Sequence, residues 1–126
     1  MPRALIVDDS RATRSALRRI LSSLGIDCVE AEHGQHALAE LEANQGDFAF
    51  VLVDWNMPIM DGFHLIKAIR AERQYASLPI VMVSAEIDQR QIARALMAGA
   101  DEYIMKPFDR DILLDKLSAL GLAEVG

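Results

Sequence analysis

The sequence is poor in cysteine and has no long hydrophobic run. Its 126 residues contain one cysteine, Cys28, which excludes an internal disulfide bond and a cysteine cage for zinc. The longest apolar runs, residues 48–53 and 78–83, have the length of a strand and are far too short to span a bilayer. The first residues lack the charged, apolar and small segments of an export signal. We therefore expect a cytoplasmic protein that does not insert into a membrane.

Basic residues are outnumbered by acidic ones. Thirteen Lys and Arg against nineteen Asp and Glu give a formal net charge of −6. This charge repels nucleic acid phosphates, so DNA is not an expected partner. Hydrophobic residues make up 52% of the chain and charged residues 25%, which is typical of a folded domain and not of a disordered chain. We expect one domain over residues 1–120, followed by a frayed tail at 121–126.

Short apolar runs alternate with longer amphipathic segments along the chain. The runs predicted as strands are residues 4–7, 26–31, 48–53, 78–83 and 101–105. The segments predicted as helices are residues 11–24, 35–44, 61–73, 88–98 and 110–120. Such alternation indicates an α/β domain with a doubly wound, five-stranded parallel sheet, and it favours the flavodoxin-like strand order 2-1-3-4-5. Ligands of such sheets bind at the carboxyl ends of the strands, near the switch point between strands one and three.

Polar side chains follow four of the five predicted strands. Asp8 and Asp9 end the first strand, Asp54 the third, Ser84 the fourth and Lys106 the fifth. One such residue is ordinary turn chemistry, but carboxylates packed together repel, and a hard cation such as Mg²⁺ relieves that repulsion. A hydroxyl and an ammonium group match phosphoryl oxygens. The set therefore predicts a phosphoryl-transfer site, in which a carboxylate can be the acceptor.

Taken in order, the motifs at these strand ends resemble the receiver domain of two-component response regulators over essentially the whole chain. They are Val7-Asp8-Asp9-Ser10, Asp54-Trp55-Asn56-Met57-Pro58 with Asp61-Gly62, Ser84-Ala85-Glu86, Gly99-Ala100-Asp101 and Lys106-Pro107-Phe108. The stretch from Asp54 to Gly62 is most similar to the chemotaxis-type, single-domain members. The resemblance implies phosphorylation by a sensor histidine kinase or a phosphotransfer protein. It also implies a downstream target protein and a chemotaxis-like, adaptor or relay role.

The resemblance gives each matching residue at the predicted site a role. Asp54 is implied to be the phosphoacceptor. Mg²⁺ is implied to be bound directly by Asp9, largely through water by Asp8, and by Asp54 and the backbone carbonyl of Asn56. Lys106 is implied to pair with a phosphoryl oxygen, and the peptide bond that joins it to Pro107 is implied to be cis.

Two further residues are implied to switch the domain. Ser84 hydrogen-bonds the phosphoryl group and Tyr103 then turns inward, so that the face of the fourth helix, fifth strand and fifth helix changes shape. Many members have Thr where this chain has Ser84, which keeps the hydroxyl but lacks the methyl group that restrains the rotamer. Asn56 and Glu86 flank the site and are candidates for tuning the access of water.

Two other protein classes share part of this pattern. Phosphatases of the haloacid-dehalogenase type also use Asp, Mg²⁺, a hydroxyl and Lys. They place the nucleophile in Asp-x-Asp after the first strand and add a cap domain, for which 126 residues leave no room. Flavodoxin-like electron carriers need a hydroxyl- and glycine-rich loop where Asp8 and Asp9 would repel the FMN phosphate. We therefore expect a phosphoacceptor that assists its own phosphorylation and dephosphorylation, and not a turnover enzyme.

A basic stripe is predicted on the first helix, because Arg11, Arg14 and Arg18 are spaced to share one face. Such a face is usually solvated. The alternative is a docking site for an acidic partner or a phosphate-bearing ligand such as a nucleotide, although interleaved aromatics for base stacking are missing. Charges of both signs near the fifth strand would allow a phosphorylation-linked homodimer, but exposed ion pairs contribute little each, so we expect a monomer.

Overall fold

The structure, a computed structural model, describes residues 2–85 and 88–123. These residues form strands β1 (Arg3–Val7), β2 (Asp27–Ala31), β3 (Phe50–Asp54), β4 (Ile80–Ser84) and β5 (Glu102–Met105). The helices are α1 (Arg11–Ser23), α2 (Gly34–Ala43), α3 (Gly62–Ala71), α4 (Gln89–Ala98) and α5 (Arg110–Ala119), with a 3₁₀ turn at Arg73–Tyr75. Neighbouring strands pair in parallel in the order β2-β1-β3-β4-β5. This confirms the predicted fold class and strand order.

The sheet is covered by helices on both faces, as its continuously apolar strands predict. Successive residues of β1 point to opposite sides: Leu5 and Val7 pack in a cluster with α2, α3 and α4, whereas Ala4 and Ile6 pack in a second cluster with α1 and α5. Every residue of β3 and β4 is buried. β2 is an edge strand and only partly buried, in agreement with its polar sequence. In the described part of the chain, no helix is long and apolar enough to cross a membrane.

Two strands begin two residues later than the apolar runs predict. β3 begins at Phe50 and not at Phe48, whose amide donates to the carbonyl two residues earlier at 2.8 Å. β4 begins at Ile80 and not at Leu78, whose amide donates to the last carbonyl of the 3₁₀ turn at 3.2 Å. Both Phe48 and Leu78 are nevertheless buried. An apolar run therefore marks the buried segment correctly, while its first residues belong to the turn that leads into the strand.

Arg70, near the end of α3, joins the amino ends of β4 and β5. Its Nε donates to the carbonyl of Gly99 at 3.0 Å, and its NH1 donates to the carbonyl of Tyr75 at 2.8 Å. Its NH2 lies 3.0 Å from Asp101 Oδ2, which also accepts from the amide of Ile80 at 2.8 Å. Gly99 has φ of 125°, and a Cβ there would lie 2.5 Å from the Arg70 side chain. Hydrogen bonds from Arg70 and Asp101 therefore hold together the edge of the sheet opposite the carboxyl ends of the strands.

One residue in the loop between β3 and α3 has a strained backbone. Ile59 has φ of 70°, and its side chain is 76% exposed, so that packing offsets little of the strain. The left-handed region costs an ordinary L-residue about 1–2 kcal/mol, and Asn tolerates it best after Gly. We predict that Ile59→Asn raises the free energy of unfolding by about 1 kcal/mol. Urea denaturation measures this change.

The matched control for this prediction is Ile112→Asn, because Ile112 is also an exposed isoleucine but lies within α5. That variant should not be stabilised, since Ile112 is not among the positive-φ residues. An Ile59→Asn protein that is no more stable than the wild type would contradict the assignment of strain to this loop.

Candidate functional site

The carboxyl ends of four strands meet in one crevice. Asp8 and Asp9 follow β1, Asp54 and Ser84 are the last residues of β3 and β4, and Lys106 follows β5. Asp8, Asp54 and Ser84 are buried, Lys106 is partly buried and Asp9 is exposed. The parallel sheet brings these ends together although they are far apart in sequence. The structure thus places at one edge the residues that the strand-end pattern singled out.

The Lys106 ammonium group lies between two buried carboxylates. Its Nζ donates to Asp8 Oδ2 at 3.1 Å and to Asp54 Oδ1 at 3.3 Å. The backbone around it is also fixed, because its amide donates to the Ser84 carbonyl at 2.8 Å beyond the last pair of the β4–β5 ladder. The peptide bond between Lys106 and Pro107 is cis, as the resemblance implied. The position of Lys106 at the end of β5 therefore places its ammonium group beside both acids.

Burial shapes the charge states of these groups. Burial raises the pKa of Asp54 to about 6; the Asp8 charge adds to this shift and the Lys106 ammonium opposes it. Burial alone would lower the pKa of Lys106, but its hydrogen bond to Asp8 and the Asp54 charge raise it above the ordinary value. At neutral pH the crevice therefore holds an ammonium group and an Asp54 carboxylate that is mostly ionised.

Three carboxylates in the crevice fit a small divalent cation. Asp8, Asp9 and Asp54 each offer one oxygen, and these oxygens lie within 4.8 Å of one another. Hard ions such as Mg²⁺ prefer oxygen ligands, and Mg²⁺ needs only one or two protein carboxylates together with waters and a substrate phosphate. Asn56 is exposed in the loop after β3, and its backbone carbonyl stays a predicted ligand. The residues present fit Mg²⁺.

The Asp8 side chain is oriented from two sides. Its Oδ1 accepts from the amide of Ser10 at 2.8 Å, and its Oδ2 accepts from Lys106. Ser10 is the N-cap of α1, and its Oγ accepts from the amide of Thr13 at 3.2 Å. The start of α1 therefore positions one of the carboxylates.

Gly62, the first residue of α3, lets the helix approach β3 closely. A Cβ at this position would lie 2.6 Å from the Asp54 carbonyl oxygen and 2.9 Å from the Trp55 Cα. The Gly62 amide donates to the Trp55 carbonyl at 3.0 Å, and Asp61 caps α3 by accepting from the His64 amide at 2.9 Å. The Asp61-Gly62 motif is visible in the sequence, but its role in seating α3 against β3 requires the fold.

Tyr103 and the Asn56 side chain take no part in the hydrogen bonds given above for the crevice. Tyr103, in β5, is partly buried against the cluster that includes α4, and Lys116 Nζ lies 4.7 Å from the centre of its ring. The side chain of Asn56 is exposed beside the crevice. Glu86 lies outside the described residues.

The predicted basic stripe on α1 needs a correction. Arg11 is exposed, but Arg14 is buried and only 8% exposed. Arg14 and Arg18 donate to the two carboxylate oxygens of Glu30 in β2, at 3.0 and 2.7 Å. Although partial burial acts in the opposite direction, the hydrogen bonds from Arg18 and Arg14 lower the pKa of Glu30. The spacing identified a shared face correctly, but β2 covers part of that face, so the three arginines form no continuous docking surface.

Residues 4–118 match the family described as the response regulator receiver domain. The chain is 41% identical over 117 residues to the chemotaxis protein CheY1 of Helicobacter pylori, covering 92% of this chain and 94% of that protein. It is 44% identical over 114 residues to the chemotaxis protein CheY homolog of Campylobacter jejuni, covering 90% and 87%. Among solved structures, the chemotaxis protein CheY4 of Vibrio cholerae is similar with a TM-score of 0.88 and 33% identity, covering 94% and 98%. These similarities extend over nearly the whole chain.

The raised pKa of Asp54 makes stability depend on pH. The pKa is 3.8 in the unfolded chain and about 6 in the folded protein, so the folded state binds this proton more tightly and loses stability as the pH rises through this window. We predict that Asp54→Asn, without Mg²⁺, raises the free energy of unfolding by on the order of 2 kcal/mol at about pH 8. The gain should shrink as the pH falls from about 6 toward 4, because the folded wild type then takes up this proton and no longer holds a buried charge at Asp54.

Urea denaturation at several pH values measures this gain. Asp115→Asn is the control, because Asp115 is exposed on α5 and its replacement should change stability little. A gain for Asp54→Asn that does not grow between about pH 4 and pH 8 would contradict the assigned charge state.

A methyl group at Gly62 should disturb the start of α3. We predict that Gly62→Ala lowers the free energy of unfolding by about 1–3 kcal/mol, because the added Cβ meets backbone atoms that cannot move independently. Gly34→Ala is the control: Gly34 also begins a helix, but its added Cβ would meet the flexible Met60 side chain. Thermal or urea unfolding compares the two variants. Equal losses would show that the contact with β3 is not what requires glycine.

Proposed function

The chain belongs to the receiver family of response regulators, and we propose that it is a chemotaxis-like two-component regulator that accepts a phosphoryl group on Asp54. The observation that carries the proposal is the buried Asp54 carboxylate, 3.3 Å from the Lys106 ammonium and beside the carboxylates of Asp8 and Asp9. A receiver domain is in general a phosphoacceptor and not an enzyme that turns over a separate substrate. We take the receiver domain as residues 1–120 and the tail as 121–126.

The proposed step is an in-line displacement at phosphorus. An Asp54 oxygen forms a bond to the phosphorus of a phosphohistidine on a partner kinase or phosphotransfer protein. The phosphorus–nitrogen bond breaks, and the imidazole keeps its electron pair. The nucleophile must be ionised, and a pKa of about 6 leaves Asp54 mostly ionised at neutral pH. Water later hydrolyses the acyl phosphate and returns the carboxylate.

Two neighbouring groups are suited to the oxygens of the transferred phosphoryl group. Lys106 already contacts Asp54 and can neutralise one of these oxygens. Ser84 ends the adjacent strand, is buried in the same crevice and offers its hydroxyl to another oxygen. The Ser84 carbonyl is bonded to the Lys106 amide at 2.8 Å, so that the two groups are held in a fixed relation.

Mg²⁺ would be held by Asp8, Asp9 and Asp54, with the Asn56 backbone carbonyl as a further proposed ligand. When bound, it supplies positive charge that offsets the negative charge of the transferred group. The chain itself keeps Asp8 in place through the Ser10 amide and the Lys106 ammonium. Asn56 and Glu86 are proposed to tune the access of water.

The proposed output is a change in the face formed by α4, β5 and α5. The acyl phosphate adds charge next to Ser84, and movement of Ser84 and Tyr103 would bias an existing equilibrium between two conformations. Exposed apolar side chains on these elements support a protein partner: Met97 is 88% exposed, Met105 37% and Ile112 43%. The partner would be a downstream target protein.

A cytoplasmic monomer is the state that we propose. Charged residues near β5 already pair within the chain, with Asp101 3.0 Å from Arg70 and Glu102 3.4 Å from Lys116. Intermolecular salt bridges at this face would have to replace these contacts, which disfavours a homodimer. The net charge of −6 disfavours DNA as a partner.

Intact-protein mass after incubation with acetyl phosphate tests the proposed function. Wild type with Mg²⁺ should gain one phosphoryl group, and Asp54→Asn should gain none. Lys106→Ala should be phosphorylated weakly at best, because the ammonium group no longer neutralises the phosphoryl oxygens. Asp115→Asn, changed on exposed α5, is the control and should label like the wild type.

Two results would contradict the proposal. Wild-type labelling of Asp54→Asn would place the acceptor elsewhere. A wild-type protein that gains no phosphoryl group, and whose Trp55 fluorescence does not respond to Mg²⁺, would have no working phosphoryl site. Trp55 is suited to this measurement because it is buried directly beside Asp54.

A further inference from the structure

Arg14 is a buried charged residue that the steps above do not use. Four polar or charged residues are buried in the described part of the chain, and three of them are Asp8, Asp54 and Ser84 of the crevice; the fourth is Arg14. Arg14 lies in the first turns of α1, where its amide donates to the carbonyl of Ser10 at 3.0 Å. Helical side chains lean toward the helix N-terminus, and this one reaches the end of β1.

The Arg14 side chain holds the backbone between two of the carboxylates. Its NH1 donates to the carbonyl oxygen of Asp8 at 2.7 Å, a bond that is itself buried. This oxygen belongs to the planar peptide unit that links Asp8 to Asp9. The other side of Asp8 is fixed to β2, since its amide donates to the Ala31 carbonyl at 3.1 Å. Arg14 therefore restrains the peptide plane from which the exposed Asp9 carboxylate projects.

The charge of Arg14 is partly offset by Glu30, and Glu32 Oε1 also lies 4.0 Å from its NH2. The Arg14 Nε donates to Glu30 Oε1 at 3.0 Å, and the second oxygen of Glu30 accepts from Arg18 Nε at 2.7 Å. Arg18 also donates to the carbonyl of Cys28 at 3.1 Å, so these contacts of Arg18 lie on β2. Arg14 and Arg18 thus both pair with Glu30. They differ in that Arg14 also donates to the Asp8 carbonyl, whereas Arg18 donates to the Cys28 carbonyl.

We propose that Arg14 is a positioning residue for the cation site: by holding the Asp8–Asp9 peptide it orients the two carboxylates and strengthens Mg²⁺ binding. The proposal rests on the proposed function, because it takes the acidic crevice as a Mg²⁺ site. A bare positive charge near the crevice would weaken cation binding, whereas a fixed peptide plane strengthens it. Glu30 and Glu32 offset part of this charge, so we expect positioning to be the larger effect.

The test measures the Mg²⁺ dissociation constant from Trp55 fluorescence, without any phosphodonor. Arg14→Met should weaken Mg²⁺ binding about tenfold, the effect expected when a group that orients a metal ligand is removed. Arg14→Lys keeps the charge but cannot bond the Asp8 carbonyl and Glu30 in the same way, so it should also bind more weakly. Arg18→Met is the matched control, which removes a partner of Glu30 and leaves the Asp8 contact intact.

Arg14→Met should fold, because Glu30 remains paired with Arg18; cooperative urea unfolding checks this. If that variant does not fold, Arg14→Lys decides: weaker binding than in Arg18→Met supports the proposal, and equal binding overturns it. Tighter binding by Arg14→Met than by the wild type would also overturn it, since charge would then dominate. A wild type that binds no Mg²⁺ contradicts the proposed function and this inference together. A wild type that binds Mg²⁺, with Arg14→Met and Arg18→Met alike, contradicts this inference alone.

Discussion

The contact of one ammonium group with two buried carboxylates is the constraint on which this crevice depends. Lys106 lies 98 residues from Asp8 and 52 residues from Asp54 along the chain, and it hydrogen-bonds both. Two carboxylates buried side by side repel each other. Without a positive charge between them, one carboxyl group would be protonated or the ends of β1 and β3 would move apart. The lysine comes from β5 and reaches across β4 to both strands. Three strands are thereby joined electrostatically at the edge where the phosphoryl transfer is proposed.

The two buried acids differ because their surroundings differ. Asp8 accepts from the Ser10 amide and from Lys106, so its carboxylate has two donors. Asp54 is similarly buried and shares the same lysine, and its pKa rises to about 6. Neighbouring carboxyl groups in one site can take different roles when their surroundings differ. Here Asp8, with two donors, suits the proposed ligand role, and Asp54 suits the proposed role of nucleophile.

Much of this arrangement could be predicted from the sequence, because a parallel sheet brings the carboxyl ends of its strands together. The positions of Asp8, Asp54 and Lys106 followed from the apolar runs that precede them. The burial of Arg14 could not be predicted, since helical spacing identifies a face of α1 but not the strand that lies beside it. The need for glycine at position 62 depends on how closely α3 packs against β3, which is a tertiary distance that no local pattern contains. These limits concern contacts between elements and not the elements themselves.

The hydrogen bonds made by Arg70 fix the amino ends of β4 and β5. Arg70 ties the end of α3 to Gly99, Tyr75 and Asp101, and Asp101 in turn holds the first residue of β4. All of these contacts lie at the far edge of the sheet from the crevice. The carboxyl ends of β4 and β5 are held separately, by their ladder and by the Lys106 contacts. A change of charge at the crevice would then leave the register at the amino ends of β4 and β5 unchanged.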